Sequence, residues 1–137
     1  MYPEELVTPM RKELTSVGFE EWRSAADVEK ALGEKKGSVL VVFNSVCGCA
    51  AGNARPGIKM ALKNKKLPQK LATVFAGQDT EAVAKARSYT TGYPPSSPSA
   101  ALFKDGKLVY MLERHQIEGH HPQEIAESLT HAFEAYL

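Results

Sequence analysis

The stretch Ser38 to Ser45, SVLVVFNS, leaves a chain few ways to fold. It is short, rich in β-branched residues and apolar at successive positions. Both of its faces need cover, so it reads as a central strand with helices on either side of its sheet. Small residues follow at once, Cys47-Gly48-Cys49-Ala50-Ala51-Gly52, and let a helix lie close against that sheet. Arg55-Pro56 interrupts the helix. Pro56 suits a first-turn position where it restarts, and Ile58, Ala61 and Leu62 supply its inner face.

Other segments fall into place around this strand. Leu6, Met10, Leu14 and Val17 lie at helical spacing and predict a first helix over about Glu4 to Val17. Pro9 is expected to kink or restart it, with Thr8 as a cap, and Gly18 ends it. Phe19 to Trp22 reads as a short strand. Ser24 caps a second helix to about Leu32, with Gly33 past its end. Leu71 to Ala76 is a second buried strand, and Asp79 caps a helix over Thr80 to Ser88. Ala100 to Phe103 and Lys107 to Leu112 flank Asp105-Gly106, a strong hairpin signal. Pro122 to Tyr136 sets Ile125, Leu129, Ala132, Phe133 and Tyr136 on one face of a last helix. The order is helix, then β-α-β-α-β-α-β-β-α, which implies a mainly parallel sheet with an antiparallel hairpin at its end. One α/β domain over 1–137 is expected, with 1–18 as a helical extension and 19–137 as the core.

Composition narrows the function. The chain is 43% hydrophobic and 24% charged with a net charge of +1, so disorder is excluded and nucleic acid is an improbable main partner. The longest apolar run, Val39 to Phe43, falls far short of the roughly 20 residues of a membrane span. The opening MYPEELVTPMRKEL mixes charges of both signs without a continuous apolar segment, so no secretory signal and no membrane partner is expected.

Both cysteines of the chain stand together as Cys47-Gly48-Cys49. A bridge at this spacing closes a tiny loop and gains little as a staple, so redox chemistry or metal binding is the better use. Cys47 sits between a buried strand and a helix start, where free amides and the helix dipole favour a thiolate. It is expected to be exposed, and Cys49, inside the first turn, to be partly shielded. Gly48 is expected to permit the tight bend between them. The resulting bridge would be strained and readily reduced, as a catalytic pair requires. Metal binding is the rival use. Structural zinc wants four ligands, however, and His115, His120, His121 and His131 all lie near the far end of the chain, so no metal is assigned.

The low-complexity stretch Thr90 to Ser99, TTGYPPSSPS, is the second element of the site. Ser97-Pro98, directly before the hairpin, is a candidate cis peptide bond facing the cysteines. Backbone groups of Ser97 would then pair with an extended client strand.

These features resemble the thioredoxin superfamily from about Phe19 to the end. More narrowly, NSVCGCAAGNARP (Asn44 to Pro56), VFAGQD (Val74 to Asp79), PSSPS (Pro95 to Ser99) and ERHQIEGH (Glu113 to His120) resemble the bacilliredoxin family. That resemblance implies a thioredoxin-like fold, a central mixed sheet flanked by helices with an extra N-terminal helix. It also implies a cytoplasmic thiol–disulfide oxidoreductase that removes bacillithiol from mixed disulfides with protein thiols. Bacillithiol would be a low-molecular-weight thiol co-substrate, with no bound cofactor. Cys47 would attack and Cys49 would resolve. Broad protein disulfide isomerase or reductase activity, and a non-enzymatic metal or iron–sulfur carrier using the same cysteines, stand as alternatives.

Two departures qualify the resemblance. Many members end in a cysteine where this chain reads Ala135-Tyr136-Leu137, so no third-cysteine step is expected. Val41 occupies the place, six residues before Cys47, where thioredoxins carry a buried aspartate. Arg55 and His115 are supporting candidates, the first to attract a thiolate or a carboxylate of the small thiol, the second to approach the cysteines. Surface or packing roles compete for both.

Overall fold

The computed structural model describes residues 1–137. Five strands form one mixed sheet in the order β1-β3-β2-β4-β5: β1 (Glu20–Glu21), β2 (Ser38–Asn44), β3 (Lys70–Phe75), β4 (Ser99–Lys104) and β5 (Lys107–Leu112). β1, β3 and β2 run parallel, while β4 is antiparallel to β2 and to β5. Every residue of β2 is buried. Its side chains alternate as a strand dictates. Leu40 and Val42 enter a core with Ile58, Leu129 and Phe133, under α3 (Arg55–Ala61) and α6 (Pro122–Tyr136). Val39, Val41 and Phe43 enter the opposite core with Val28, Leu32 and Ala82, under α2 (Ala25–Leu32) and α4 (Thr80–Arg87). Sheet and flanking helices make the thioredoxin-like α/β fold expected from the order of elements. No helix is long and apolar enough to cross a membrane.

The N-terminal helix, α1 (Glu4–Thr15), differs from its expectation in three ways. It runs through Pro9 as one helix. Thr8 does not cap it; the hydroxyl donates to the Glu4 carbonyl at 2.8 Å. The inner face is Val7, Arg11 and Leu14, while Leu6 and Val17 are exposed. Arg11 is the reason. Its buried guanidinium donates to Glu4, Glu21 and Asp79 at 2.8, 2.5 and 2.6 Å and lies over the Phe75 ring. A buried cation held by three carboxylates is invisible to a pattern built on apolar residues. For the same reason Asp79 makes no side-chain cap to α4, since both its oxygens accept from Arg11. At the other end of the chain, Tyr136 is exposed and off the inner face of α6.

α3 and α6 meet at Gly57. A β-carbon there would stand 2.8 Å from Ile125 Cβ and 2.9 Å from the Pro122 carbonyl oxygen. Gly57→Ala is therefore expected to destabilise the chain. Overpacking costs about 1–3 kcal/mol, against roughly 0.5–1 kcal/mol gained by removing a helical glycine. The check is a lower urea midpoint at unchanged slope.

Candidate functional site

The site forms where β2 ends. After Asn44 the chain turns through Ser45 and Val46 to Cys47, and helical backbone begins at Gly48. It passes through a π-helical turn, Ala50–Ala54, into α3. The Cys47 carbonyl accepts from the Ala50 and Ala51 amides at 2.9 and 3.3 Å, so Cys47 stands at the head of this helical run. Its own amide donates to Ser45 Oγ at 3.1 Å. The Cys47 and Cys49 sulfurs are 2.6 Å apart, in direct thiol contact.

Both cysteines are half-buried: Cys49 is partly shielded as expected, whereas Cys47 is less exposed than expected. Their acidities also differ. The Cys49 thiol, the Cys49 and Ala50 amides and the Arg114 charge all hold the Cys47 thiol below the usual thiol range. Burial and the neighbouring Cys47 push Cys49 up. Gly48 also departs from expectation. It takes no left-handed φ, and a β-carbon there would meet nothing within 4 Å. Ordinary helical backbone makes the bend, so glycine's freedom is not what brings the sulfurs together.

Opposite the thiols lies the loop before β4. The Ser97–Pro98 bond is cis, Ser97 is half-buried and Pro98 is buried. Arg87, 4.7 Å above the Phe43 ring, donates to the Ser96 carbonyl and steadies the loop from below. The Ser97 amide has no partner within the chain, whereas its carbonyl accepts from Arg114 Nη1 at 3.2 Å.

Arg114 joins the two halves of the site and is the residue that sequence reasoning missed. It opens a short helix, α5 (Arg114–Ile117), also unforeseen. Its Nη2 reaches Cys47 Sγ at 3.4 Å and its Nε donates to Glu118 at 2.9 Å. The hairpin held the signal. Ala100 pairs with Leu112, and carrying that register two residues further sets Arg114 opposite Pro98.

The two supporting candidates lie elsewhere. His115 is exposed and bonds Glu113 at 3.1 Å, so its ring does not meet the cysteines. Arg55 is neither on the surface nor on a thiolate. It is 2% exposed, and its guanidinium donates to Glu13 at 3.0 Å and to Asn44 Oδ1 and the Ser45 carbonyl at 2.9 Å each. Asn44 in turn accepts from the Ser45 amide and donates to the Met10 carbonyl. Arg55 thus ties α1 and the end of β2 to the loop that presents Cys47. No group of three or more histidine, cysteine or acidic side chains converges as a metal ion would require.

Solved structures share this architecture. One with a thioredoxin fold covers 86% of this chain and 95% of its own at a TM-score of 0.66 and 20% identity. The thioredoxin of Fasciola hepatica covers 87% of this chain and 100% of its own at 0.59 and 24%. A family model described as disulphide isomerase matches residues 2–137. With adjacent thiols of unequal acidity closing the central strand, the molecule is a thiol–disulfide oxidoreductase of thioredoxin-like fold. Among its relatives, a bacilliredoxin of Cytophaga hutchinsonii is 54% identical over 134 residues, 98% of each chain. One of Staphylococcus epidermidis is 51% identical over 136 residues, covering 99% of this chain and 93% of its own. The chain belongs to the bacilliredoxin family.

Proposed function

We propose that the protein removes bacillithiol from mixed disulfides with protein thiols in the cytoplasm. The observation that carries this reading is the unequal pair: an acidified Cys47 touching a less acidic Cys49. The Cys47 thiolate attacks the bacillithiol sulfur of the client's mixed disulfide. A bond forms between Cys47 and bacillithiol, and the client cysteine leaves as thiolate and takes a proton. Cys49 then gives up its proton and attacks Cys47, releasing bacillithiol and leaving a Cys47–Cys49 disulfide. Alternatively, a second bacillithiol attacks the bound one and frees Cys47 as bacillithiol disulfide departs. The free Ser97 amide, beside Cys47 through the Arg114 bridge, supports capture of an extended client segment.

The test is turnover of a bacillithiolated client beside the same client glutathionylated. Faster release of bacillithiol is the expected result; equal or faster release of glutathione overturns it. The description of the matched family favours a second reading, broad protein disulfide isomerisation. That reading requires disulfides between protein cysteines to be exchanged as fast as the bacillithiolated client is cleared.

A further inference from the structure

We propose that the cleft between the Pro94–Ser96 loop and α5 is a subsite for the carboxylate-bearing body of the small thiol that Cys47 receives, with Arg114 as its anchor. This rests on the reading of Cys47 as the sulfur acceptor and adds what the site recognises. The cleft is about 410 Å³, within the usual range for small ligands, and is lined by Pro94, Ser96, Glu113, Arg114, His115 and Glu118. Arg114 links it to the reacting sulfur: the side chain lines the cleft, and its Nη2 reaches Cys47 Sγ at 3.4 Å.

The argument is one of charge. Before reaction the guanidinium faces three acceptors: the Cys47 sulfur through Nη2, the Ser97 carbonyl through Nη1 and Glu118 through Nε. Attack by Cys47 on the small-thiol sulfur turns its thiolate into a neutral disulfide sulfur, and the client's cysteine carries the charge away. Electrons balance within this exchange, so no outside oxidant or reductant enters the step. Nη2 thereby loses its anion at the moment the small thiol becomes attached beside it. A carboxylate a few bonds from the attached sulfur restores the pairing, and guanidinium is the side chain best shaped to hold one. Glu113 and Glu118 border the same cleft and suit an ammonium group on that thiol. The chemical class is therefore a small, amino-acid-derived thiol that bears its own carboxylate. A neutral thiol leaves Nη2 without an anion, while Nε and Nη1 keep Glu118 and the Ser97 carbonyl.

The pair of probes is a client peptide carrying a mixed disulfide with N-acetylcysteine, and the same peptide with N-acetylcysteamine, which lacks the carboxylate. Adduct formation on Cys47 is timed by mass spectrometry in a Cys49→Ser background. Each rate is divided by the rate of the same disulfide with mercaptoethanol. The expected ratio favours N-acetylcysteine by about five-fold, the scale of a partly exposed ion pair. Arg114→Gln should bring it to about one, and Arg114→Lys should keep part of it. Loss of thiolate stabilisation slows both probes alike, so the ratio isolates recognition. A ratio near one in the Arg114 protein, or one undiminished by Arg114→Gln, overturns the subsite. If the bacillithiolated client is still cleared in that case, the parent reading stands; if that client is left untouched, the parent reading falls.

Discussion

Cys47→Ser is expected to abolish turnover, whereas Cys49→Ser should accept the small thiol and hold it as an adduct until a second small thiol clears it. Exchange requires a thiolate. The two sulfurs touch and Arg114 favours charge on both, yet the Cys49 thiol and two helix amides stabilise it on Cys47, while burial and Cys47 itself oppose it on Cys49. The signs give a pH signature as well. A thiol held below the usual range stays ionised at lower pH, so alkylation of Cys47 should reach its plateau below the pH at which a free cysteine does. Cys49, pushed up by burial and by its neighbour, should gain reactivity only at higher pH. Mass spectrometry of each variant after exposure to oxidised bacillithiol gives the direct check. Adduct forming on Cys49 in Cys47→Ser as fast as the wild type reacts would exchange the two roles.

The second large effect concerns Arg55, which touches neither sulfur. Arg55→Met should lower stability by about 3 kcal/mol, the lower end of the cost of breaking a buried ion pair. The lower end applies because Glu13 is 36% exposed and can turn to water, while Asn44 Oδ1 and the Ser45 carbonyl lose a buried donor. Against the 5–15 kcal/mol by which domains are usually stable, that is a large share. Urea unfolding measures it, and an unchanged midpoint would show that the network carries no weight. Arg55→Lys keeps the charge but not the fork, and should lose less. Since Ser45 also holds the Cys47 amide, the methionine variant should alkylate at Cys47 with a shifted pH profile.

Both predictions rest on polar geometry, and that is where the sequence was hardest to read. The apolar pattern was plain. SVLVVFNS demanded cover on both faces and became the fully buried β2, and Asp105-Gly106 turned the hairpin as its dipeptide requires. The last helix showed the same clarity at Ile125, Leu129 and Phe133, because burial of apolar side chains repeats with the helix period. α1 did not, because its buried face contains an arginine, and nothing local to Arg11 announces that Glu21 and Asp79 join Glu4 of its own helix around it.

The candidate site divides along the same line. Two cysteines side by side after a central strand, and a serine–proline pair before a hairpin, are local features, so the chain order alone brought Cys47, Cys49, Ser97 and Pro98 into consideration. Which arginine serves the thiol could not be read locally. Arg55 is eight residues from Cys47 in sequence, yet α3 carries it beneath the loop; Arg114 is far along the chain, yet the β4–β5 register delivers it to the sulfur. Local sequence determines where strands, turns and the thiol pair fall, because backbone preference and apolar burial act over a few residues. Only the tertiary structure decides which charges meet, because a guanidinium finds its partners through space, across strands and helices that the sequence keeps apart.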